Sequence, residues 1–167
     1  TYTGSAFTIV SSSVTTNTLT VSDIGTITDI NVTMSGFEVC GNQYLDITLQ
    51  SPYGTIVELT NITTLGGVTF YQTIFDDEAS TTIENGSDPY FGSYQPVDNL
   101  SDINDEEMNG NWTLGVYHNQ GCGSSITAWS ISIDTLTSYD GSSPIYISNV
   151  GNDGFNGSYE YPFATIQ

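Results

Sequence analysis

The sequence is most unusual for what it lacks: it contains no lysine and no arginine. Its 167 residues include 19 aspartates and glutamates and one histidine, which give a formal net charge of −19 at pH 7. A chain with charges of one sign repels nucleic acid and anionic membrane surfaces, so neither is predicted as a partner. Divalent cations are the natural counter-ions. The absence also removes every cleavage site for trypsin-like proteases.

Long apolar runs are absent as well. No stretch of 18 apolar residues occurs, so no membrane insertion is predicted. The first residue is threonine, and the chain does not open with a charged segment followed by an apolar one. These features indicate a mature or excised segment of a longer protein.

Cysteine is scarce, with only Cys40 and Cys122 in the chain. Two cysteines are too few for a disulfide-dense scaffold, and their spacing is not that of a zinc site. In an extracellular setting we expect one mutual disulfide. Its loop of 82 residues would stabilise the fold by about 4 to 5 kcal/mol in the chain-entropy model. Two separate buried thiols are the alternative.

The residues that are abundant favour strands. About a quarter of the chain is serine or threonine, and 11 tyrosines outnumber 7 phenylalanines, which suits short strands joined by polar turns. Alternating apolar and polar residues predict strands at 7–10, 18–21, 27–34, 45–49, 55–60, 69–74, 111–116 and 126–136. Residues 51–54 are predicted as a hairpin turn and 35–43 as a loop. Many short alternating strands predict an all-β, antiparallel β-sandwich.

The stretch from residue 76 to 110 has no periodicity and holds ten of the 19 acidic residues. A structureless loop of this length is uncommon and is usually functional or tied down. Asp76, Asp77 and Glu78 stand at its start, and no basic residue exists to neutralise them. The cluster is therefore either solvated or bound to a cation. Calcium, which takes oxygen ligands from flexible acidic loops, is the predicted ion.

Several separated motifs share their order and spacing with a known family. They are ITDINVT (27–33) with LDITLQSPYGT (45–55), FDDEA (75–79), and NGNWTL (109–114) with AWSI (128–131). Together they resemble the P domain, the β-sandwich module that follows the subtilisin-like catalytic domain in proprotein convertases and recurs in bacterial secreted proteins. The resemblance implies a jelly-roll-like fold, an extracellular location, frequent calcium binding and no catalytic machinery within the module.

The resemblance also implies a set of calcium ligands. In the P-domain arrangement Asp46 faces away from the core on a nearby strand, and Asp102 or Asp105 would close the shell begun by the acidic run. The predicted ligands are Asp76, Asp77, Glu78, Asp46, Asp102 and Asp105. The chain departs from the family at Tyr44 and His118, where the family often has aspartate. The two cysteines are additions to the family pattern, in loops that both lead into core strands.

Three regions are predicted along the chain. Residues 1–136 form the P-domain-like sandwich, 137–144 a low-complexity linker, and 145–167 the start of a second region. The last region combines a strand, a turn rich in glycine, aspartate and asparagine, and the ending PFATIQ. It resembles the opening of right-handed parallel β-helix proteins.

Catalytic chemistry is not indicated by the residues. His118 is the only histidine, has no nucleophile placed beside it, and is predicted to lie in a loop near the surface. Trp112 and Trp129 occupy inward positions and are predicted to belong to the core. The run Asp134-Thr135-Leu136 resembles the short O-glycosylation motif of Bacteroidetes-type secreted proteins, which makes Thr135 a candidate modification site.

The sequence therefore predicts a non-catalytic, calcium-stabilised module of a bacterial secreted or cell-surface protein. Its expected role is that of a scaffold or adhesion unit with protein or glycan surface ligands. One alternative is the accessory domain of a secreted enzyme, either a subtilisin-like protease or a β-helix carbohydrate-active enzyme. Another is a self-associating subunit of an extracellular filament, in which the C-terminal strand adds to a neighbour's sheet.

Overall fold

The computed structural model of the chain describes residues 1–39, 43–64, 68–119 and 124–136. The chain divides into two units, Thr1–Leu136 and Thr137–Gln167. The predicted linker and the predicted second region lie outside the described residues, as do Cys40 and Cys122 with their predicted disulfide. Among the described helices, none has the length and apolar character needed to cross a membrane.

The described residues form ten strands and two short 3₁₀ helices. The strands are β1 (Tyr2–Gly4), β2 (Phe7–Ile9), β3 (Thr15–Val21), β4 (Ile27–Val39), β5 (Gln43–Gln50), β6 (Ile56–Thr64), β7 (Val68–Phe75), β8 (Tyr90–Tyr94), β9 (Gly110–His118) and β10 (Ser124–Thr135). The 3₁₀ helices are Ile83–Asn85 and Leu100–Ile103. Each strand predicted within residues 1–136 corresponds to one of these, whereas β1 and β8 were not predicted and the strand predicted in the second region lies outside the described residues.

The strands pair into two sheets. The six-stranded sheet has the order β1-β10-β4-β7-β8, with β2 also paired to β10, and the four-stranded sheet has the order β3-β9-β5-β6. The pairs are antiparallel, except that β8 runs parallel to β7. The predicted all-β sandwich is confirmed, with one parallel edge as a departure from a fully antiparallel arrangement.

The hairpin of β5 and β6 shows why the sequence folds as predicted here. Leu45, Ile47 and Leu49 of β5 are fully buried and alternate with partly exposed residues. The turn closes through Ser51 N, which donates to Thr55 O at 2.9 Å, and Gly54 N, which donates to Ser51 O at 3.0 Å. Gly54 has a φ of 96°, a conformation that glycine adopts without the steric cost of a Cβ.

The two tryptophans are fully buried in the core, as predicted. Trp112 comes from β9 of the four-stranded sheet and Trp129 from β10 of the six-stranded sheet. Trp112 Nε1 donates to Met108 O at 3.0 Å, and Trp129 Nε1 donates to Asn17 Oδ1 at 2.8 Å. Both sheets therefore contribute a large buried ring whose polar atom is satisfied.

The predicted loop at 35–43 is wrong over its first half, because β4 continues to Val39. Phe37 is fully buried and stacks on Phe70 of β7, with ring centroids 5.6 Å apart. The alternation that ends at Met34 resumes at Phe37, one residue out of phase. Gly36, with a φ of 63°, accommodates the change of phase.

This change of phase is shared by three neighbouring strands. In β10, β4 and β7, two consecutive exposed or partly exposed residues stand between buried ones. The buried residues on both sides still pair, so the three strands stay in register. β8 does not follow, because two residues of β7 oppose one residue of β8, which is the pattern of a β-bulge. We call these residues the transverse bend: Thr127, Ala128, Ser35, Gly36, Tyr71, Gln72 and Phe91.

Residues 76–110 are not structureless, contrary to the prediction. β8 and both 3₁₀ helices lie in this stretch. It is anchored by the buried side chains of Ile83, Leu100 and Ile103, and by the hydrogen bond from Asp76 N to Tyr94 O at 3.0 Å. These contacts tie the stretch to the rest of the sandwich. Because the apolar anchors are irregularly spaced, they leave no period in the sequence.

Candidate functional site

The acidic run predicted to bind calcium follows β7 directly and folds into a tight turn. Asp76 Oδ1 accepts the backbone N–H of Glu78 at 2.8 Å, and Ala79 N donates to Asp76 O at 3.1 Å. Glu78 is exposed. A side-chain hydrogen bond with Asp76 is the main cause that raises the pKa of Glu78, and partial desolvation of the carboxyl and the charge of Asp29 raise this pKa further.

Asp77 has a structural role that the sequence did not indicate. Its Oδ1 accepts the backbone N–H of Leu100 at 2.9 Å, and its Oδ2 accepts that of Ser101 at 2.8 Å. Gln95 Nε2 donates to the backbone oxygen of Asp77 at 3.2 Å. A carboxylate at the start of a helix satisfies backbone N–H groups that have no partner within the helix. Asp77 therefore ties the end of β7 to the second 3₁₀ helix.

Two carboxylates outside the predicted set act on the same region. Asp29 of β4 and Asp134 of β10 are directly opposite each other on neighbouring antiparallel strands. Burial is the main cause that raises the pKa of Asp29, followed by the charge of Asp134, with smaller effects of Asp76 and Asp77. Asn31 Nδ2 donates to Asp29 Oδ2 at 3.1 Å. Like charges directly opposite each other destabilise a sheet, and the chain has no lysine or arginine that could compensate this pair. This end of the six-stranded sheet is therefore a place where a cation would be stabilising.

Asp46 lies on β5 of the four-stranded sheet, whereas the acidic run follows β7 of the six-stranded sheet. Burial raises its pKa, and its Oδ1 is buried without a hydrogen-bond partner. On the neighbouring strand, the pKa of Glu58 is raised by burial first and then by the charges of Asp46 and Asp98. Asn61 Nδ2 donates to Glu58 Oε2 at 3.2 Å. The four-stranded sheet therefore has an acidic group of its own.

Asp102 and Asp105 are exposed in and just after the second 3₁₀ helix. The backbone N–H of Asp105, a residue with a φ of 68°, donates to Ile27 O at 2.9 Å. Nearby, Thr26 Oγ1 donates to Glu107 Oε1 at 3.1 Å. The contacts that the structure makes here fasten the loop to the start of β4.

Of the six predicted ligands, Asp46 lies on a strand of the four-stranded sheet, and the other five lie in the connection between β7 and β9. Within residues 1–39, 43–64, 68–119 and 124–136, no group of three or more His, Cys, Asp or Glu side chains could hold a metal ion. Both oxygens of Asp77 are engaged by backbone N–H groups, and Asp46 belongs to the other sheet. The described carboxylates therefore do not form a ready-made cage of three acidic ligands, and calcium binding stays a prediction.

Two further residues singled out in the sequence can be placed. His118 is fully buried at the end of β9, so its predicted position in a surface loop is wrong. β9 runs two residues beyond the predicted strand, and His118 pairs with Leu45 of β5. Thr135 ends β10, partly buried, and a Cβ added to Gly25 would come within 3.0 Å of its side chain. Modification of Thr135 stays a prediction.

A family comparison links the fold to the motifs. The model of the proprotein convertase P-domain matches residues 27–133, from the first residue of β4 almost to the end of β10. The chain belongs to the proprotein convertase P-domain family. The resemblance of its motifs to the P domain is confirmed, and the P domain is a non-catalytic accessory module.

Two solved structures are similar to this P domain, and both are of the serine protease of Aeromonas sobria. The protease in complex with a chaperone shares 15% sequence identity with a TM-score of 0.44. The protease by itself shares 14% with a TM-score of 0.42. Each comparison covers 78% of this chain and 26% of the protease chain, so the chain spans about a quarter of their length. A comparison with curated proteins finds no match.

Proposed function

We propose that this P domain is a non-catalytic accessory module of a larger extracellular protein, with a subtilisin-like protease as the enzyme that it accompanies. The supporting observation is the family match over residues 27–133, which takes in seven of the ten described strands. P domains are typical of secreted proteins, and this supports the extracellular location.

Deletion of residues 1–136 from the parent protein tests the accessory role. The remaining protein should lose yield of folded enzyme and inactivate faster on heating, because its catalytic domain loses a packed neighbour. The readouts are peptidase activity and its half-life at elevated temperature. A matched full-length variant, Glu84→Gln, changes one exposed carboxylate and should behave as wild type. Unchanged activity and half-life after the deletion would contradict the proposal.

A scaffold or adhesion unit without an enzyme is the second candidate. The observation that favours it is the exposure of large apolar side chains, among them Ile24 at 81%, Val14 at 65% and Tyr53 at 65%. Such apolar side chains, with Ile24 and Val14 as the most exposed aliphatic ones, are available to a partner surface, whereas Tyr53 lies at the β5–β6 turn. This candidate would be favoured over the first by two results together. The parent protein would have no peptidase activity, and deletion of residues 1–136 from it would abolish the attachment of cells to a surface.

Calcium is proposed as a stabilising counter-ion. Support comes from Asp29 and Asp134, which are opposite each other, and from Asp76, whose charge contributes to the raised pKa of Asp29. No lysine or arginine exists to compensate them. Because the described residues offer no cage of three ligands, water would have to complete the coordination, as calcium allows.

A calcium titration of the melting temperature tests this proposal. An ion that binds only the folded state raises the melting temperature as its concentration grows. We expect a rise when millimolar calcium is added after chelation at constant ionic strength, a smaller rise for Asp29→Asn, and the full rise for Glu84→Gln. Identical melting with and without calcium would refute the proposal.

A further inference from the structure

The outer surface of the six-stranded sheet carries an exposed pair of stacked aromatic rings. Tyr71 on β7 is 58% exposed and Phe91 on β8 is 62% exposed. Their ring centroids are 6.2 Å apart with 21° between the planes. Every other ring pair in the described residues contains buried or half-buried rings. The exposed pair therefore adds little to the core, and its position requires another explanation.

The backbone next to this pair is held in an unfavourable conformation. Gln72 has a φ of 52°, a left-handed conformation that is uncommon for a residue with a Cβ. Tyr71 and Gln72 are both exposed and together oppose Phe91 in the β-bulge. Glycine would relieve the strain, but it would remove the exposed amide. Bulges often redirect side chains at binding sites, and in this one Gln72 directly follows Tyr71 and lies opposite Phe91.

The aromatic pair stands at one end of the transverse bend, and a depression lies at the other end. The depression has a volume of about 240 Å³ and is lined by Ala6, Phe7, Thr8, Ser125, Ile126 and Thr127. Thr127 belongs to both features. The line from the depression to the rings crosses β2, β10, β4, β7 and β8 in turn. At a strand spacing of about 4.8 Å this is roughly 19 Å.

The side chains along this line are uncharged. Thr127 Oγ1 donates to Ser35 O at 2.8 Å and can still accept a hydrogen bond, Ser35 offers a hydroxyl group, and Gln72 offers an amide that can donate and accept. A sugar chain presents apolar C–H faces together with hydroxyl groups. Aromatic rings pack against the C–H faces, and neighbouring polar groups bind the hydroxyls. The absence of lysine and arginine disfavours anionic polymers but leaves neutral ones unaffected.

A protein partner fits this surface less well. The apolar part is limited to two rings, and the rest of the transverse bend is hydroxyl, amide, alanine and glycine. The centre of a protein interface requires a larger apolar area, and stable interfaces cover about 800 Å² on each partner. A narrow polar track with one aromatic platform is better matched to a single extended chain of sugars.

We propose that the transverse bend binds a neutral oligosaccharide or polysaccharide chain, which lies across the strands and stacks a sugar ring on Tyr71 and Phe91. The amide of Gln72 hydrogen-bonds hydroxyls of that sugar, and the depression at Thr127 takes the other end of the chain. This goes beyond the accessory role. Binding is measured on the chain alone and the accessory role in the parent protein, so the failure of one is distinguishable from that of the other.

Isothermal titration of the full 167-residue chain tests the proposal. The probes are the neutral hexasaccharides of the laminarin, cellulose, chitin, xylan and mannan series, with polygalacturonate as an anionic comparison. We expect saturable binding of at least one neutral probe and none of polygalacturonate. Tyr71→Ala and Phe91→Ala should each weaken binding at least fivefold. Tyr53→Ala removes an equally exposed tyrosine from the β5–β6 turn and should leave the affinity unchanged.

Gln72→Gly separates binding from folding. It should raise the melting temperature, because glycine tolerates the left-handed backbone, and it should weaken binding through loss of the amide. Circular dichroism verifies the fold of each variant, and Tyr71→Leu replaces Tyr71→Ala if the latter does not fold. The proposal is overturned if no neutral probe binds, if polygalacturonate binds equally well, or if Tyr53→Ala weakens binding as much as the ring variants do.

Discussion

The two sheets of this P domain differ in how regular the backbone of their strands is. Within the strands of the four-stranded sheet and the β5–β6 turn, the residues with a positive φ are Gly54 and Gly110. In the six-stranded sheet, three strands share a bend, the edge pair is parallel, and a positive φ falls on Gln72 beside two exposed rings. Core formation accounts for the first sheet. The second keeps features that the core does not need, and these mark the surface where function is expected.

The largest expected effect is the loss of stability on removing a core tryptophan, and it should be the same for both sheets. Trp112→Ala and Trp129→Ala each remove a fully buried indole and leave its hydrogen-bond acceptor unpaired, so each should lower the free energy of unfolding by about 3 to 5 kcal/mol. Urea unfolding followed by circular dichroism measures both. A loss of less than about 2 kcal/mol for only one of them would show that one sheet contributes little to the core.

The next largest effect concerns the acidic turn of the six-stranded sheet. Asp77→Ala leaves the N–H groups of Leu100 and Ser101 without their partner, and should lower the free energy of unfolding by about 2 to 3 kcal/mol. Asp102→Ala, at an exposed position of the same 3₁₀ helix, should change it by no more than about 0.5 kcal/mol. Equal effects in urea unfolding would remove the capping role of Asp77.

Each sheet also has a carboxylate with a raised pKa, Asp29 on the six-stranded and Asp46 on the four-stranded sheet. A carboxyl that keeps its proton to higher pH when folded makes the free energy of unfolding fall as pH rises above the ordinary value of about 3.9. Asp29→Asn and Asp46→Asn should therefore stabilise at pH 7, by up to about 1 kcal/mol for the cross-strand pair of Asp29, and have little effect near pH 3.

Salt should separate these two carboxylates. The raised pKa of Asp29 depends partly on other charges, whereas burial is the cause for Asp46. Concentrated salt screens charge interactions at the surface. The gain from Asp29→Asn should therefore shrink in salt and that from Asp46→Asn should not, as measured by urea unfolding at both salt levels. The same salt response for both would mean that the charge of Asp134 has no effect on Asp29.

The smallest expected effect tests the strain in the bend. Gln72→Gly relieves a left-handed conformation that costs about 1 to 2 kcal/mol, less the flexibility cost of glycine of about 0.5 to 1 kcal/mol, so a gain of about 0.5 kcal/mol is expected. Gly54→Ala in the four-stranded sheet should have the opposite sign. Thermal unfolding measures both, and a destabilised Gln72→Gly would show that the bend is not strained.

Most of the fold could be predicted from alternation, because the sandwich buries one face of each strand. Trp112 and Trp129, for example, were placed inward correctly from this pattern. The change of phase at Gly36 could not be predicted, since the pattern before it gives no sign that Phe37 will point inward. The edge strand β8 is short, and its pairing with β7 requires tertiary contacts that no local pattern contains.

The candidate site was predicted only in part. The run at Asp76 was located, but Asp29 and Asp134 were not, because they meet only when β4 pairs with β10 across more than 100 residues of sequence. Each occupies an outward position of a strand that was predicted, so the pairing alone would have revealed them. The role of Asp77 depends on two backbone N–H groups of the second 3₁₀ helix. Backbone groups leave no signal in the pattern of side chains.

The transverse bend also constrains how this domain can diverge. Removing one residue from β4, β7 or β10 at this point would exchange the inward and outward faces for the rest of that strand. A change of length is tolerated only if the neighbouring strands change with it. Among relatives that keep the bend, insertions and deletions should accumulate in the loops, while these three segments retain their lengths as a coupled set even where their side chains differ.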